Sequence, residues 1–281
     1  MTLGSLPRVN KLMSRFLFPC FALLLLLSPA APGAAQDQAP TQDPAQGPAE
    51  APADPDLAAV YSDCMNLARV QPEEAFEKAT AWAGLDGGYA ARHCAAIALL
   101  GLGEYREAAD RLEILAEDLS GPDAKLRVGV LAQAGQAWLL GGDTTRAYAT
   151  QSAALRLEPE NVELLIDRAV TLASAANYWE AIDDLNAAQE LAPGRGDIFI
   201  FRASAYRFVD ANELALEDVN HGLRLDPDNP EGLLERGILR RLAGDTAGAR
   251  EDWLRVVTLA EGSPAAEAAQ ANLEALDVKA E

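Results

Sequence analysis

Histidine, cysteine and aromatic residues are scarce in this chain of 281 residues, which has two histidines, three cysteines and 6% aromatic residues. His93 and His221 lie 128 positions apart, and neither belongs to a zinc-binding spacing such as H-E-x-x-H. Walker loops, dinucleotide-binding fingerprints and G-x-S-x-G elbows are also missing. Runs of alternating β-branched residues are absent, and alanine-rich stretches instead predict an all-α chain. We therefore expect no catalytic residue, no cofactor and no bound metal.

Basic residues are far fewer than acidic residues. The chain has 23 lysines and arginines against 43 aspartates and glutamates, which gives a formal net charge of -20 at pH 7. Binding to a nucleic acid needs clustered basic side chains that neutralise phosphates. The sequence therefore predicts no nucleic-acid partner, and the same charge disfavours an anionic membrane surface.

An apolar run of twelve residues lies near the N-terminus, at 16–27. Three basic residues precede it and small residues follow it, an order typical of a signal peptide, and the run is too short to span a bilayer. We predict a signal peptide at 1–35 that exports the chain to the periplasm of a bacterium, with secretion as an alternative and no membrane insertion after cleavage. Met13 is an alternative start, and retention of the signal as an anchor stays open. The proline- and alanine-rich segment 36–55 is predicted to be a disordered linker.

Removal of the signal peptide would take Cys20 with it. Cys64 and Cys94 would then remain in a compartment that oxidises thiols, so we predict a disulfide between them. The bond would close a loop of about 30 residues, which the chain-entropy model values at roughly 3 to 4 kcal/mol. The alternative is a pair of separate buried thiols.

A proline-containing segment recurs every 34 residues. Its prolines are Pro159, Pro193 and Pro227, in LRLEPEN, QELAPGR and LRLDPDN. The last copy also resembles the start of a calcium-binding loop, but Pro230 stands where the third oxygen ligand belongs. A period of 34 indicates an array of helical repeats.

Small residues recur with the same period. One set is Ala147, Ala181, Ala215 and Ala249, and a second set is Gly135, Ala169, Ala203 and Gly237. Small side chains let two antiparallel helices approach closely. The segments GEYREAA from Gly103, GDTTRAY from Gly142, ANYWEAI from Ala176 and GDTAGAR from Gly244 mark the turn within their units, so each unit is predicted to be a helix-turn-helix pair.

These residues resemble the tetratricopeptide repeat (TPR) family, as an exported bacterial member. The resemblance covers about 56–263 and is strongest in the units of 34 residues that begin at Val128, Val162, Gly196 and Pro230. It implies a right-handed superhelical α-solenoid of antiparallel helix pairs. We predict a TPR-like domain at 56–277, with about six units and a terminal capping helix.

Comparison of the units predicts three structural ion pairs between the two helices of a unit. They are Arg168 with Asp184, Arg202 with Asp218, and Arg236 with Asp252. The arginine and the aspartate of a pair are lost together in the other units, which favours a partly buried bridge. A polar ladder on the surface is the alternative.

The resemblance also implies a groove lined by the second, fifth, ninth, twelfth and thirteenth positions of each unit. Here these residues include Glu163, Ile166, Val170, Asp197, Ile200, Ser204, Arg207, Phe208, Glu231, Leu234, Ile238, Arg241 and Leu242. The fifth-position row of Ile166, Ile200 and Leu234 either contacts a partner or packs internally. Family members that clamp a C-terminal carboxylate use Lys, Asn and Arg at these positions, and that pattern is missing.

A protein-protein interaction scaffold of the bacterial cell envelope is therefore the predicted function. Its partner would be an extended or helical protein segment, whose identity the sequence does not reveal, bound in the groove and bearing basic residues. The alternative is a ligand-binding or enzymatic envelope protein that recognises cell-wall fragments through the same groove.

Overall fold

The computed structural model describes residues 55–119 and 124–278. Within these ranges the backbone forms thirteen α-helices and no strand, which confirms the all-α fold class. The helices are α1 (Pro55–Val70), α2 (Pro72–Ala83), α3 (Gly88–Gly101), α4 (Tyr105–Asp118), α5 (Ala124–Leu140), α6 (Thr144–Leu157), α7 (Val162–Ser174), α8 (Tyr178–Leu191), α9 (Gly196–Phe208), α10 (Asn212–Leu225), α11 (Pro230–Leu242), α12 (Thr246–Leu259) and α13 (Pro264–Val278). The predicted signal peptide and the linker up to residue 54 lie outside the described residues. None of the helices named above is both long and apolar enough to cross a bilayer.

The described residues divide into two compact units, 55–111 and 112–278. In the first, α1 packs on α2 and α3, and α2 packs on α3. Its core consists mainly of small side chains, namely Cys64, Ala68, Ala75, Ala79, Cys94, Ala95 and Ala98. Cys64 and Cys94 are bonded to each other, with 6.2 Å between their Cα atoms, and tie α1 to α3. Small side chains allow close approach of the helices but bury little apolar area each.

In the unit 112–278, consecutive helices pack as antiparallel pairs: α5 with α6, α7 with α8, α9 with α10, and α11 with α12. The first helix of each pair also contacts the first helix of the next pair. The predicted terminal helix is α13, which packs on α11 and α12. Trp253, Leu233 and Val219 are completely buried in the core that these last pairs share with Ala269 on α13.

The turns between helices follow from local chemistry. The side chains of Asp143, Asn161, Asn229 and Asp245 each accept a hydrogen bond from the backbone N–H three residues later and so cap α6, α7, α11 and α12. Asn229 Oδ1 lies 2.9 Å from Gly232 N, and Pro230 occupies the first position of α11. The segment that resembles a calcium loop is thus a connector, in which Asp226 accepts a hydrogen bond from Asn229 and Asp228 pairs with Arg255.

The periodic glycines of the first helices make room for large side chains on the second helices. A Cβ atom at Gly237 would lie 2.7 Å from Trp253 Cδ1, and one at Gly135 would lie 2.6 Å from Gln151 Cγ. Both distances are far shorter than real contacts of a Cβ atom. The intervening units carry alanine at this position and the smaller Leu185 and Val219 at the position of the tryptophan. Gly237 therefore accommodates a tryptophan on the second helix, which an alanine at this position would not allow without a shift.

Candidate protein-binding face

The three arginine-aspartate pairs lie where the periodicity places them. Arg202 Nε and Nη2 donate to the two carboxylate oxygens of Asp218 at 2.7 and 2.9 Å, and the hydrogen bonds to Asp218 raise the pKa of Arg202. Arg168 binds Asp184 and Arg236 binds Asp252 in the same two-pronged way. The side chains are mostly buried, which favours a structural role.

Two of these arginines also reach the preceding unit, a contact that the sequence comparison missed. Arg168 Nη1 donates to Ser152 Oγ at 3.2 Å, and Arg202 Nη1 donates to Asn186 Oδ1 at 2.8 Å. Each guanidinium therefore links three helices: both helices of its own unit and the second helix of the unit before it. The recurrence of a polar residue sixteen positions before the arginine is the signal that could have revealed this contact.

The fifth-position row is buried. Ile166, Ile200 and Leu234 are 6%, 5% and 1% exposed. Ile200 fills space left by two glycines, since a Cβ atom at Gly222 would lie 2.8 Å from its Cγ1 and one at Gly232 would lie 2.8 Å from its Cδ1. The internal-packing alternative is thus correct for this row, and its assignment to a partner-contacting surface is corrected. Ser204, from the ninth position, is buried as well.

The other groove positions keep access to solvent. We call them the first-helix face: Glu163 and Val170 on α7, Asp197, Arg207 and Phe208 on α9, and Glu231, Ile238, Arg241 and Leu242 on α11. Apolar and charged side chains are interspersed on this face over the first helices of three successive units. Leu242 is 55% exposed. Such a mixture is typical of surfaces that bind protein segments.

Some of the charges on the first-helix face are paired within the chain. Arg207 binds both carboxylate oxygens of Glu235, which lies on α11, and the two side chains are only 12% and 9% exposed. The Arg207 guanidinium also lies 4.4 Å from the centre of the Phe208 ring, which stacks on Tyr178 at 4.7 Å. At the edge of the face, Arg195 binds Asp197 and Glu163.

Asp167 is a residue of this surface that the sequence analysis did not single out. Its Oδ2 accepts a hydrogen bond from Gln136 Nε2 on α5 at 2.9 Å. Burial raises the pKa of Asp167 to about 6, and the charge of Glu163 acts in the same direction. The recurrence of an acid at the same repeat position, at Glu235, is the signal that could have identified it.

The imidazole rings of both histidines stack on aromatic side chains. In the unit 55–111, His93 Nδ1 lies 2.6 Å from the Tyr61 hydroxyl, and the ring of His93 stacks on Tyr89. Burial raises the pKa of Tyr61 to about 12. His221 stacks on Phe199 with 4.1 Å between the ring centres. Across residues 55–119 and 124–278, no three His, Cys, Asp or Glu side chains are grouped so that they could hold a metal ion.

A small open pocket lies in the unit 112–278, beside α4, α5 and α6. Its volume is about 390 Å³. Its lining includes Glu113, Arg127, Leu131 and Arg156. The buried Nε of Arg127 has no hydrogen-bond partner among the residues that the structure describes.

Comparison with known proteins identifies the fold. No family model matches the chain. The DnaJ homolog subfamily C member 7 homolog of Dictyostelium discoideum is 29% identical over 115 residues, which are 40% of this chain and 21% of that protein. The match thus spans about a fifth of this relative.

Solved structures resemble the chain over a larger share. The C-terminal part of a TPR repeat-containing protein from Cytophaga hutchinsonii superimposes on 71% of this chain and 78% of its own, with a TM-score of 0.56 and 15% identity. MamA from Desulfovibrio magneticus RS-1, from residue 41 to its end, covers 60% of this chain and 93% of its own, with a TM-score of 0.50 and 23% identity. The chain therefore has the fold of tetratricopeptide-repeat proteins, and the resemblance drawn from its sequence is confirmed.

Proposed function

We propose that the chain is a non-catalytic scaffold that binds a segment of another protein along the first-helix face. The observation that carries this proposal is the partial exposure of Val170 and Phe208 and the exposure of Leu242 among charged side chains on three neighbouring first helices. Apolar anchors surrounded by polar groups supply affinity and orientation for a bound segment. Stacked helix pairs present such surfaces over several repeats.

Export to the periplasm is part of the proposal. The sequence of the N-terminal 35 residues supports it, as does the bond between Cys64 and Cys94. Disulfides persist in oxidising compartments and are rare in the reducing cytosol. A scaffold in that compartment would meet partners of the bacterial cell envelope.

A binding assay tests the proposal directly. The protein is immobilised, exposed to an envelope extract of the cells that make it, and the retained protein is identified by mass spectrometry. Val170→Asp and Leu242→Asp should each abolish retention of a stoichiometric partner, because they place charge among the apolar anchors. Leu254→Asp is the matched control, since Leu254 is 52% exposed but lies on the second helix α12. Retention that is equal for all variants would contradict the proposal.

The pocket beside α4, α5 and α6 favours a second candidate function, binding of a small ligand. Its volume of about 390 Å³ falls within the range of small-molecule sites. Arg127 and Arg156 suit an anionic group of a cell-wall fragment. A melting temperature that rises with soluble cell-wall fragments in the parent, and not in Arg127→Gln, would support this candidate over the scaffold.

A further inference from the structure

Glu235 and Asp167 occupy the same position in their repeat units. Among the described residues, Glu235 is paired with a cation and Asp167 is not. We propose that Asp167 binds an arginine side chain of the protein segment that occupies the first-helix face. This inference rests on the proposed function and specifies the chemistry of the partner.

The carboxylate with a cation shows how the fold accommodates a guanidinium. Glu235 is the sixth residue of its unit, and Arg207 is the twelfth residue of the unit before it. Arg207 Nη2 donates to Glu235 Oε2 at 3.1 Å, and Arg207 Nε donates to Oε1. The arginine therefore crosses from one first helix to the next and neutralises a carboxylate that is 9% exposed.

Asp167 is the sixth residue of its own unit, and the position that corresponds to Arg207 holds Leu139. In place of a guanidinium, Asp167 receives one hydrogen bond from the neutral amide of Gln136. Its second oxygen, Oδ1, receives no hydrogen bond from the residues that the structure describes. Oδ1 keeps contact with solvent, since the fully buried polar atoms without a partner do not include it. The charge of Asp167 is thus compensated less completely than that of Glu235.

An arginine is the cation that best fits this position. A planar guanidinium can donate to Oδ1 and to the remaining lone pair of Oδ2 while Gln136 keeps its hydrogen bond. Leu139 and Val170 are partly exposed, one turn along their helices from Gln136 and Asp167, and suit the aliphatic stem of an arginine. The pKa of about 6 for Asp167 agrees with a carboxylate that is desolvated without a cation.

A substitution tests the geometry without any partner. Leu139→Arg supplies the missing guanidinium from the position that Arg207 occupies relative to Glu235. We expect the pKa of Asp167, followed by carboxyl carbon NMR, to fall from about 6 to below 5. Leu139→Gln is the neutral control and should leave it unchanged. A pKa that stays near 6 in Leu139→Arg would overturn the proposal, because the position then does not accept a guanidinium.

A peptide pair tests recognition of the charge. The probes are an acetylated nonapeptide of leucine and alanine with one central arginine, and the same peptide with citrulline, which has nearly the same shape but no charge. The parent should bind the arginine peptide at least about tenfold more tightly, the contribution of one charge-assisted hydrogen bond. Asp167→Asn should remove this preference. Asp183→Asn, which makes the same change in net charge at an exposed position of α8, should retain it.

The outcomes separate this inference from the proposed function. If the parent does not distinguish the two peptides or binds neither, or if Asp167→Asn retains the preference, the inference is wrong. The partner retained in the binding assay tests the scaffold independently. A partner that is lost with Val170→Asp but retained equally by the parent and by Asp167→Asn would support the scaffold function. The same result would contradict the binding of a partner arginine by Asp167.

Discussion

Carboxylates at two positions of this fold have opposite surroundings. Asp218 receives two hydrogen bonds from Arg202, whereas Asp167 receives one from the neutral Gln136. Removing the cation from the first site strands a buried charge. Removing the carboxylate of Asp167 eliminates a charge that is buried without a cation. Substitution should therefore lower the free energy of unfolding at the first site and raise it at the second.

Arg202→Ala should lower the free energy of unfolding by about 3 to 5 kcal/mol, because it leaves Asp218 buried without its cation. Urea unfolding followed by circular dichroism measures the loss. Arg195→Ala is the control, since Arg195 is more exposed and its loss should cost less than about 1 kcal/mol. An Arg202→Ala protein that unfolds like the parent would show that the pair contributes no net stability.

Asp167→Asn should raise stability in a pH-dependent way. Because the pKa of Asp167 rises from 3.8 to about 6 on folding, the folded state binds more protons than the unfolded state between these values. The parent therefore loses stability as the pH rises through this window. The variant should match the parent below pH 4 and exceed it by up to about 3 kcal/mol above pH 7, since about two pKa units separate the folded and unfolded states. Urea unfolding at pH 4.5 and 7.5 measures this, and a difference that does not vary with pH would contradict it.

The helix pair is the element that repeats, and its internal turn uses a left-handed residue each time. The residues are Gly142, Ala176, Asp210 and Gly244, with φ values of 78°, 62°, 60° and 87°. Glycine adopts this conformation without a steric penalty, whereas alanine pays for contact between its Cβ atom and the backbone. The turn at Ala176 is thus locally strained, and the turn at Asp210 is less so, because aspartate adopts this conformation more readily than alanine.

Ala176→Gly should relieve that strain and raise the free energy of unfolding by about 1 kcal/mol. Thermal unfolding measures the change. Ala175→Gly is the matched control, because Ala175 has a φ of -88° and gains nothing from glycine. Equal effects at the two neighbouring positions would show that the left-handed conformation at Ala176 is not the cause.

At the scale of the molecule, the two compact units differ in how they are stabilised. The unit 112–278 contains large buried side chains such as Trp253, Leu112 and Leu164. The core of the unit 55–111 consists mainly of alanines and the bonded Cys64 and Cys94. We therefore expect a covalent bond to contribute a larger share of the stability of the smaller unit.

Reduction should destabilise the unit 55–111 by about 3 to 4 kcal/mol in the chain-entropy model. Amide hydrogen exchange of α1 to α3 with and without reductant measures the change, and α7 to α12 serve as the internal control. Alkylation of the denatured, unreduced protein should leave its mass unchanged. Addition of two alkyl groups would show that the thiols are free.

Most of the fold follows from short-range chemistry that can be read in the chain. Asn229 caps α11 and Pro230 fixes φ at its first position. Both effects act within one helical turn, so the start of α11 can be read from these two residues. The period of 34 repeats those signals and predicts the helix pairs. The burial of Ile200 could not be read in the same way, because it depends on the space left by Gly222 and Gly232 on two other helices.

The all-α repeat, the first residues of the units at Val162, Gly196 and Pro230 and the ion pairs within each unit could be predicted from the sequence, since these depend on contacts that recur at a fixed spacing. The positions of the first helices that remain open to solvent became clear only from the packing of the helices. The same packing places Arg207 against Glu235, whereas Asp167 receives no guanidinium from the described residues. These outcomes depend on contacts between side chains of successive units, where single substitutions such as leucine for arginine break the periodicity.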